Sequence, residues 1–132
     1  MIPELRAGIQ TLGQTVTGLS ASNLRYGQQR RTQSGKHCFF FGVDNTLEFD
    51  SVDGMERVNV QFTFWCAKLS TLETLVENFK TVFDFTDSLS VEDYAVLEVR
   101  RNLSVPAQRF TTGTKTTWQV IMEYQFIINK TR

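Results

Sequence analysis

His37 is the only histidine in the sequence, and Cys38, one of two cysteines, follows it directly. A thiol and an imidazole form a nucleophilic pair only when their side chains meet and a third group orients the base. The run His37-Cys-Phe-Phe-Phe-Gly-Val43 has the character of a buried strand, and neighbouring strand residues point to opposite faces. The pair is therefore read as non-catalytic. Without a second histidine or a CxxC motif, the sequence assembles no metal set. Carboxylates sit close together at Asp50/Asp53 and at Glu92/Asp93. The second pair has the spacing to meet a cation, but turn-forming, solvated acids are the plainer reading. Gly8 and Gly13 lack the strand–loop–helix setting and the Lys-Ser/Thr ending of a phosphate loop. One stretch keeps a chemical character, Arg25-Tyr-Gly-Gln-Gln-Arg-Arg-Thr-Gln-Ser-Gly-Lys36. Its mix of bases with an aromatic suits contact with phosphates, docking on an acidic protein surface, or a plain solvated loop.

The charge balance narrows these options. Formal net charge is zero, from 14 basic and 14 acidic residues, whereas a dedicated duplex-binding domain carries a basic excess. The charges are nonetheless sorted along the chain. No acid occurs between Glu4 and Asp44, while Arg6, Arg25, Arg30, Arg31 and Lys36 all fall there. An acidic run follows, Asp44, Glu48, Asp50, Asp53 and Glu56, and a second after Lys80, with Asp84, Asp87, Glu92, Asp93 and Glu98. Arg100, Arg101, Arg109 and Lys115 close the pattern with a second basic stretch. Two readings fit: solvated loops, or complementary surfaces that meet between subunits, where opposed charge sets register.

At 132 residues the sequence fits one domain, 1–132, with a core of its own. Ile2, Leu5, Ile9, Leu12, Val16 and Leu19 recur at helical spacing, predicting an amphipathic first helix that starts at Pro3 and stops at Gly18. Gly8 and Gly13 weaken it by about 1 kcal/mol each relative to alanine. Residues 20–36 read as a long loop, 37–43 as a buried strand, and 44–56 as an acidic connector with a turn at Asp53-Gly54. The clearest strand is 57–66, where Val58, Val60, Phe62, Phe64 and Cys66 alternate with Arg57, Asn59, Gln61, Thr63 and Trp65. Trp65 stands out on the polar side, as an exposed indole capped by a loop or as an interface anchor. Ser70 and Glu73 make a capping box for a second helix, Ser70–Phe85, and Asp87-Ser-Leu-Ser90 ends it. Tyr94–Leu103 reads as a strand, and 104–114, with Pro106, Gly113 and Arg109, as a second long loop. The closing strand, 115–129, would span ~50 Å at about 3.3 Å per residue, which predicts a bend or a protruding β-arm. Both cysteines fall in apolar strand runs and are expected as buried thiols. The apolar runs are too short for a membrane span. The first residues lack a signal-peptide pattern, so the expected place of synthesis is the cytoplasm.

The order helix, strand, strand, helix, strand, strand predicts an α+β fold, an antiparallel or mixed sheet with both helices on one face. The strand Arg57-Val-Asn-Val-Gln-Phe-Thr-Phe-Trp-Cys-Ala67, the helix from Ser70 and the aromatic closing strand Trp118–Ile128 resemble the phage tail-completion and tail-terminator (head–tail joining) family. The resemblance spans most of the chain as a pattern, although the glycine-bearing first helix and the basic stretch 25–36 have no counterpart in it. It implies a non-catalytic virion protein without cofactors, located at the tail or the head–tail interface. Such a protein forms a homo-oligomeric ring, usually of six subunits, that terminates the tail tube and joins it to the head connector. Double-stranded DNA would pass through the lumen without sequence-specific binding. On this reading Arg25, Arg30, Arg31, Lys36, Trp65 and Arg109 are the candidate partner or lumen contacts. The alternative from a different class is a nucleic-acid-binding α+β module using the basic loop 25–36.

Overall fold

The computed structural model describes residues 1–27, 35–44 and 55–131. Its elements run α1 (Pro3–Gly13), β1 (Leu24–Tyr26), β2 (His37–Asp44), β3 (Met55–Cys66), α2 (Leu69–Phe83), β4 (Tyr94–Thr112) and β5 (Lys115–Lys130). The strands form one mixed sheet in the order β1-β2-β3-β5-β4. β1 pairs parallel to β2, and every other pairing is antiparallel. Both helices cover one face, giving the expected α+β architecture.

The alternation in β3 works as expected. Val58, Val60, Phe62, Phe64 and Cys66 point to the helices and are all buried. They meet Leu72, Leu75, Val76, Phe79 and Phe83 of α2, and with Leu5, Ile9 and Leu12 of α1 they form a single core. Phe62 is at its centre, with ring centroids 4.8 Å from Phe79, 5.6 Å from Tyr124, and 5.7 Å from both Phe40 and Phe83. Cys38 and Cys66 lie in this core as free thiols.

The structure corrects several element boundaries. α1 ends at Gly13 rather than near Gly18; a tight turn takes over, with Val16 N–H donating to the Gly13 carbonyl, and Val16 and Leu19 stay buried beyond it. The two α1 glycines also do more than weaken the helix. A β-carbon at Gly8 would overlap the Ser90 carbonyl oxygen, and one at Gly13 would overlap a methyl of Leu24. They allow the helix to lie against its neighbours. α2 begins at Leu69 with Lys68 as its N-cap, in extended backbone and without a side-chain cap bond. Ser70 is thus inside the first turn, and the expected capping box is not what starts the helix. At the other end the chain leaves the helix at Asp84, whose carboxylate accepts a 2.6 Å hydrogen bond from the Tyr124 hydroxyl and lies 3.4 Å from Arg101.

That junction ties the end of α2 to β4 and β5. Burial, then the hydrogen bond and charge of Asp84, push the Tyr124 phenol well above the ordinary tyrosine range, with Arg101 opposing. The folded state therefore holds this proton more tightly than the unfolded chain. The resulting stability is fully present below the normal tyrosine value of about 10 and is lost as pH rises beyond it. Tyr124→Phe should cost about 1–2 kcal/mol at neutral pH. It should also flatten the alkaline fall in stability, which urea unfolding at a series of pH values would show.

The second expected loop, 104–114, is mostly strand. β4 continues through Arg109 to Thr112, and Gly113-Thr114 forms a two-residue hairpin turn with Gly113 at a φ of 63°. Positive φ at the first turn residue alone is the type II′ pattern that suits strand twist. Pro106 is tolerated because β4 is an edge strand and its register shifts there, between Val105 and Gln108. Two further shifts, at Val96/Glu98 and Arg101/Leu103, bulge an edge that would otherwise template pairing with other chains. The length of β5 is absorbed in the same way. Lys115–Lys130 is an unbroken strand inside the sheet, paired with β3 from Trp118 to Asn129 and with β4 along its whole length. Only the hairpin tip extends past β3, so the long strand is present as part of the sheet rather than as a free arm.

Candidate assembly surfaces

The structure does not gather the candidate contact residues at one place. Arg25, expected in a loop, sits in edge strand β1, with its guanidinium donating to the Ser22 carbonyl. Arg30 and Arg31 lie outside the described residues, as do Asp50 and Asp53. Lys36 precedes β2 and lines a hollow with Ser70, Thr71 and Thr74 near the start of α2. Trp65 and Arg109 come to the same end of the sheet, since Trp65 pairs with Gln119 and Arg109 with Trp118. Their side chains still face opposite ways, because Trp118 belongs to the helix-covered side and Trp65 to the open one.

Trp65 is on the predicted side of the sheet but is not exposed. It retains 9% of its accessible surface, and its indole lies 6.1 Å from the Phe110 ring. Phe39 beside it is buried too and stacks on His37 at 6.0 Å. This end of the open face is covered by its own side chains, so an exposed indole is corrected to a locally buried one. His37 and Cys38 do face opposite sides, as expected: Cys38 is in the helix-side core and His37 stacks on the open face. Burial raises both thiols, Cys66 to about 11 with Lys36 pulling the other way, so neither is a poised nucleophile. Among the described residues no cluster of three His, Cys, Asp or Glu could hold a metal ion. No described helix is long and apolar enough to cross a membrane.

The charge blocks of the sequence reappear around α1. Its residues 3, 6, 7 and 10 lie on one side of the helix and 8, 11 and 12 on the other, from the 3.6-residue turn. The first side borders β1 across a hollow of about 600 Å³ whose walls include Arg6, Gln10, Ala21, Arg25 and Tyr26. Arg6 is held 4.3 Å over the Tyr26 ring. The second side borders the segment after α2 across a hollow of about 640 Å³ whose walls include Thr11, Thr15, Thr81, Asp84, Phe85 and Asp87. Phe85 is 78% exposed and its backbone takes a φ of 55°, the left-handed region that a bulky residue rarely occupies. In the sequence Arg6 and Asp84 stand out only as members of charge blocks, Asp87 also as part of the segment that ends the second helix, and Phe85 only as the expected last residue of that helix. Their arrangement around α1 depends on tertiary packing.

A sheet of this topology with both helices on one face defines the structural class. No protein-family model and no curated protein matches the sequence. The fold is shared with a solved structure, a chain of the virion of a native gene transfer agent particle. The two align with a TM-score of 0.62 over 95% of this chain and 88% of the other, at 9% sequence identity. At that identity the likeness is one of fold.

Proposed function

We propose that this chain is a non-catalytic structural subunit of a phage-type virion. In this reading it assembles with copies of itself into a ring, of six subunits on the family resemblance, that terminates the tail tube and joins it to the head connector. The observation that carries the reading is the fold, shared nearly end to end with a chain of a virion particle. Two features of the subunit support it. The hollow on the β1 side of α1 carries Arg6 and Arg25 and the hollow on its other side carries Asp84 and Asp87, a complementarity of the kind that sets register in a heterologous ring contact. The subunit's long edge strand is bulged and carries Arg100, Arg101 and Arg109, which discourages open-ended sheet growth and leaves association to other faces. The tail tube protein and the head connector are the expected neighbours, and DNA would pass through the lumen without base-specific contacts.

Native mass spectrometry of the purified protein, alone at high concentration and with its tube partner, tests the reading. A single closed oligomer, six-membered on the resemblance, is the expected outcome. A strict monomer under both conditions would contradict it.

A further inference from the structure

Two hollows of similar size flank α1, and their walls are opposite in charge. The wall on the β1 side includes Arg6 and Arg25 and no acid. Neither guanidinium has an ion pair among the described residues: Arg6 rests on Tyr26, and Arg25 is held by the Ser22 carbonyl. The wall on the other side includes Asp84 and Asp87 and no base. Arg101 neutralises Asp84 from the sheet, which leaves Asp87 as the outward charge. Exposed Phe85 stands between these two acids. Positive φ at a bulky residue is strained, and the residue held there is an aromatic ring that is 78% exposed in its own subunit.

We infer that these flanks are the two halves of one contact between copies of this chain, the Arg6/Arg25 side of one subunit seating against the Phe85/Asp87 side of the next. The inference rests on the ring reading above and names its junction. A two-fold contact of either flank with itself would bring like charges together, whereas head-to-tail pairing matches base to acid at every junction. Because the flanks lie on opposite sides of one helix, each subunit can engage a neighbour on both sides at once. Phe85 supplies the apolar anchor, the role aromatic residues commonly play at the centre of an interface.

A charge-swap experiment tests the junction. One variant reverses the basic flank, Arg6→Glu/Arg25→Glu; another reverses the acidic flank, Asp87→Lys/Ser88→Lys. All four positions are exposed, so both variants should keep the fold by circular dichroism. Each alone should self-associate at least about tenfold more weakly than the parent, since like charges then face each other across the contact. An equimolar mixture should recover rings with an even number of subunits, because every junction then pairs opposite charges again. Phe85→Gly is an independent check. Glycine takes positive φ without strain, so the thermal midpoint should hold or rise while association weakens. If the parent assembles and these variants assemble equally well, or if the mixture stays dissociated, the junction is wrong and the ring reading stands. If the parent itself is monomeric, with and without its tube partner, both fall.

Discussion

Phe62→Ala should be among the most damaging single substitutions in the core, costing about 3–5 kcal/mol out of the 5–15 kcal/mol typical of a whole domain. Phe62 is fully buried and its ring lies within 5.7 Å, centroid to centroid, of Phe40, Phe79, Phe83 and Tyr124. Those four rings come from β2, α2 and β5, so truncation opens a cavity where three elements meet. None of the neighbours can close it alone, since Phe79 and Phe83 are stacked on each other at 4.2 Å and Tyr124 is held by Asp84. The effect should appear in urea unfolding as a lower midpoint with an unchanged slope. A loss below about 0.5 kcal/mol, the scale of an ordinary surface change, would show that the aromatic cluster does not hold the helices to the sheet.

The second large effect is expected at Gly8. Helix propensity alone predicts that Gly8→Ala stabilises by about 1 kcal/mol. Packing predicts the reverse, because the new β-carbon meets the Ser90 carbonyl oxygen, a backbone atom that can yield only if the chain between α2 and β4 moves. Overpacking of this kind costs about 1–3 kcal/mol, so Gly8→Ala should be net destabilising or at best neutral. Gly8→Val, which regains little propensity and adds bulk, should lose about 2–3 kcal/mol. Gly13→Ala meets only the end of the Leu24 side chain, so its cost should be smaller. Thermal unfolding of the three variants gives the order directly; stabilisation by Gly8→Ala would mean that α1 stands off the Ser90 segment.

The elements that were legible from sequence are those whose pattern is local. β3 alternates with period two and α2 repeats its apolar stripe with period near four, and both lie within two residues of their expected bounds. What was hidden depends on partners distant in the chain. β1 is only three residues long and exists through its parallel pairing with Leu24 opposite Cys38, which nothing in the polar stretch 20–36 announces. The second half of β4 was masked by Pro106 and Gly113, residues that signal a loop unless one knows that the strand is an edge and that the glycine makes a hairpin turn. Trp65 reads as exposed because the other residues on its face of the strand, Arg57, Asn59, Gln61 and Thr63, are polar, yet Phe110, 45 positions later, packs against it. At the candidate surfaces the sorting of charge was readable and the placement was not. Arg6 and Arg25 come together because α1 packs beside β1, and they are separated from Asp84 and Asp87 by the body of that same helix.

The most direct test of a virion role is to look for the chain in assembled particles. Particles released by the organism that encodes it would be purified, their proteins identified by mass spectrometry, and an antibody to this chain localised by immunogold microscopy. The account predicts the chain in every tailed particle, at low copy number, with label at the junction of head and tail. Particles that are complete and tailed yet contain none of this chain would contradict it.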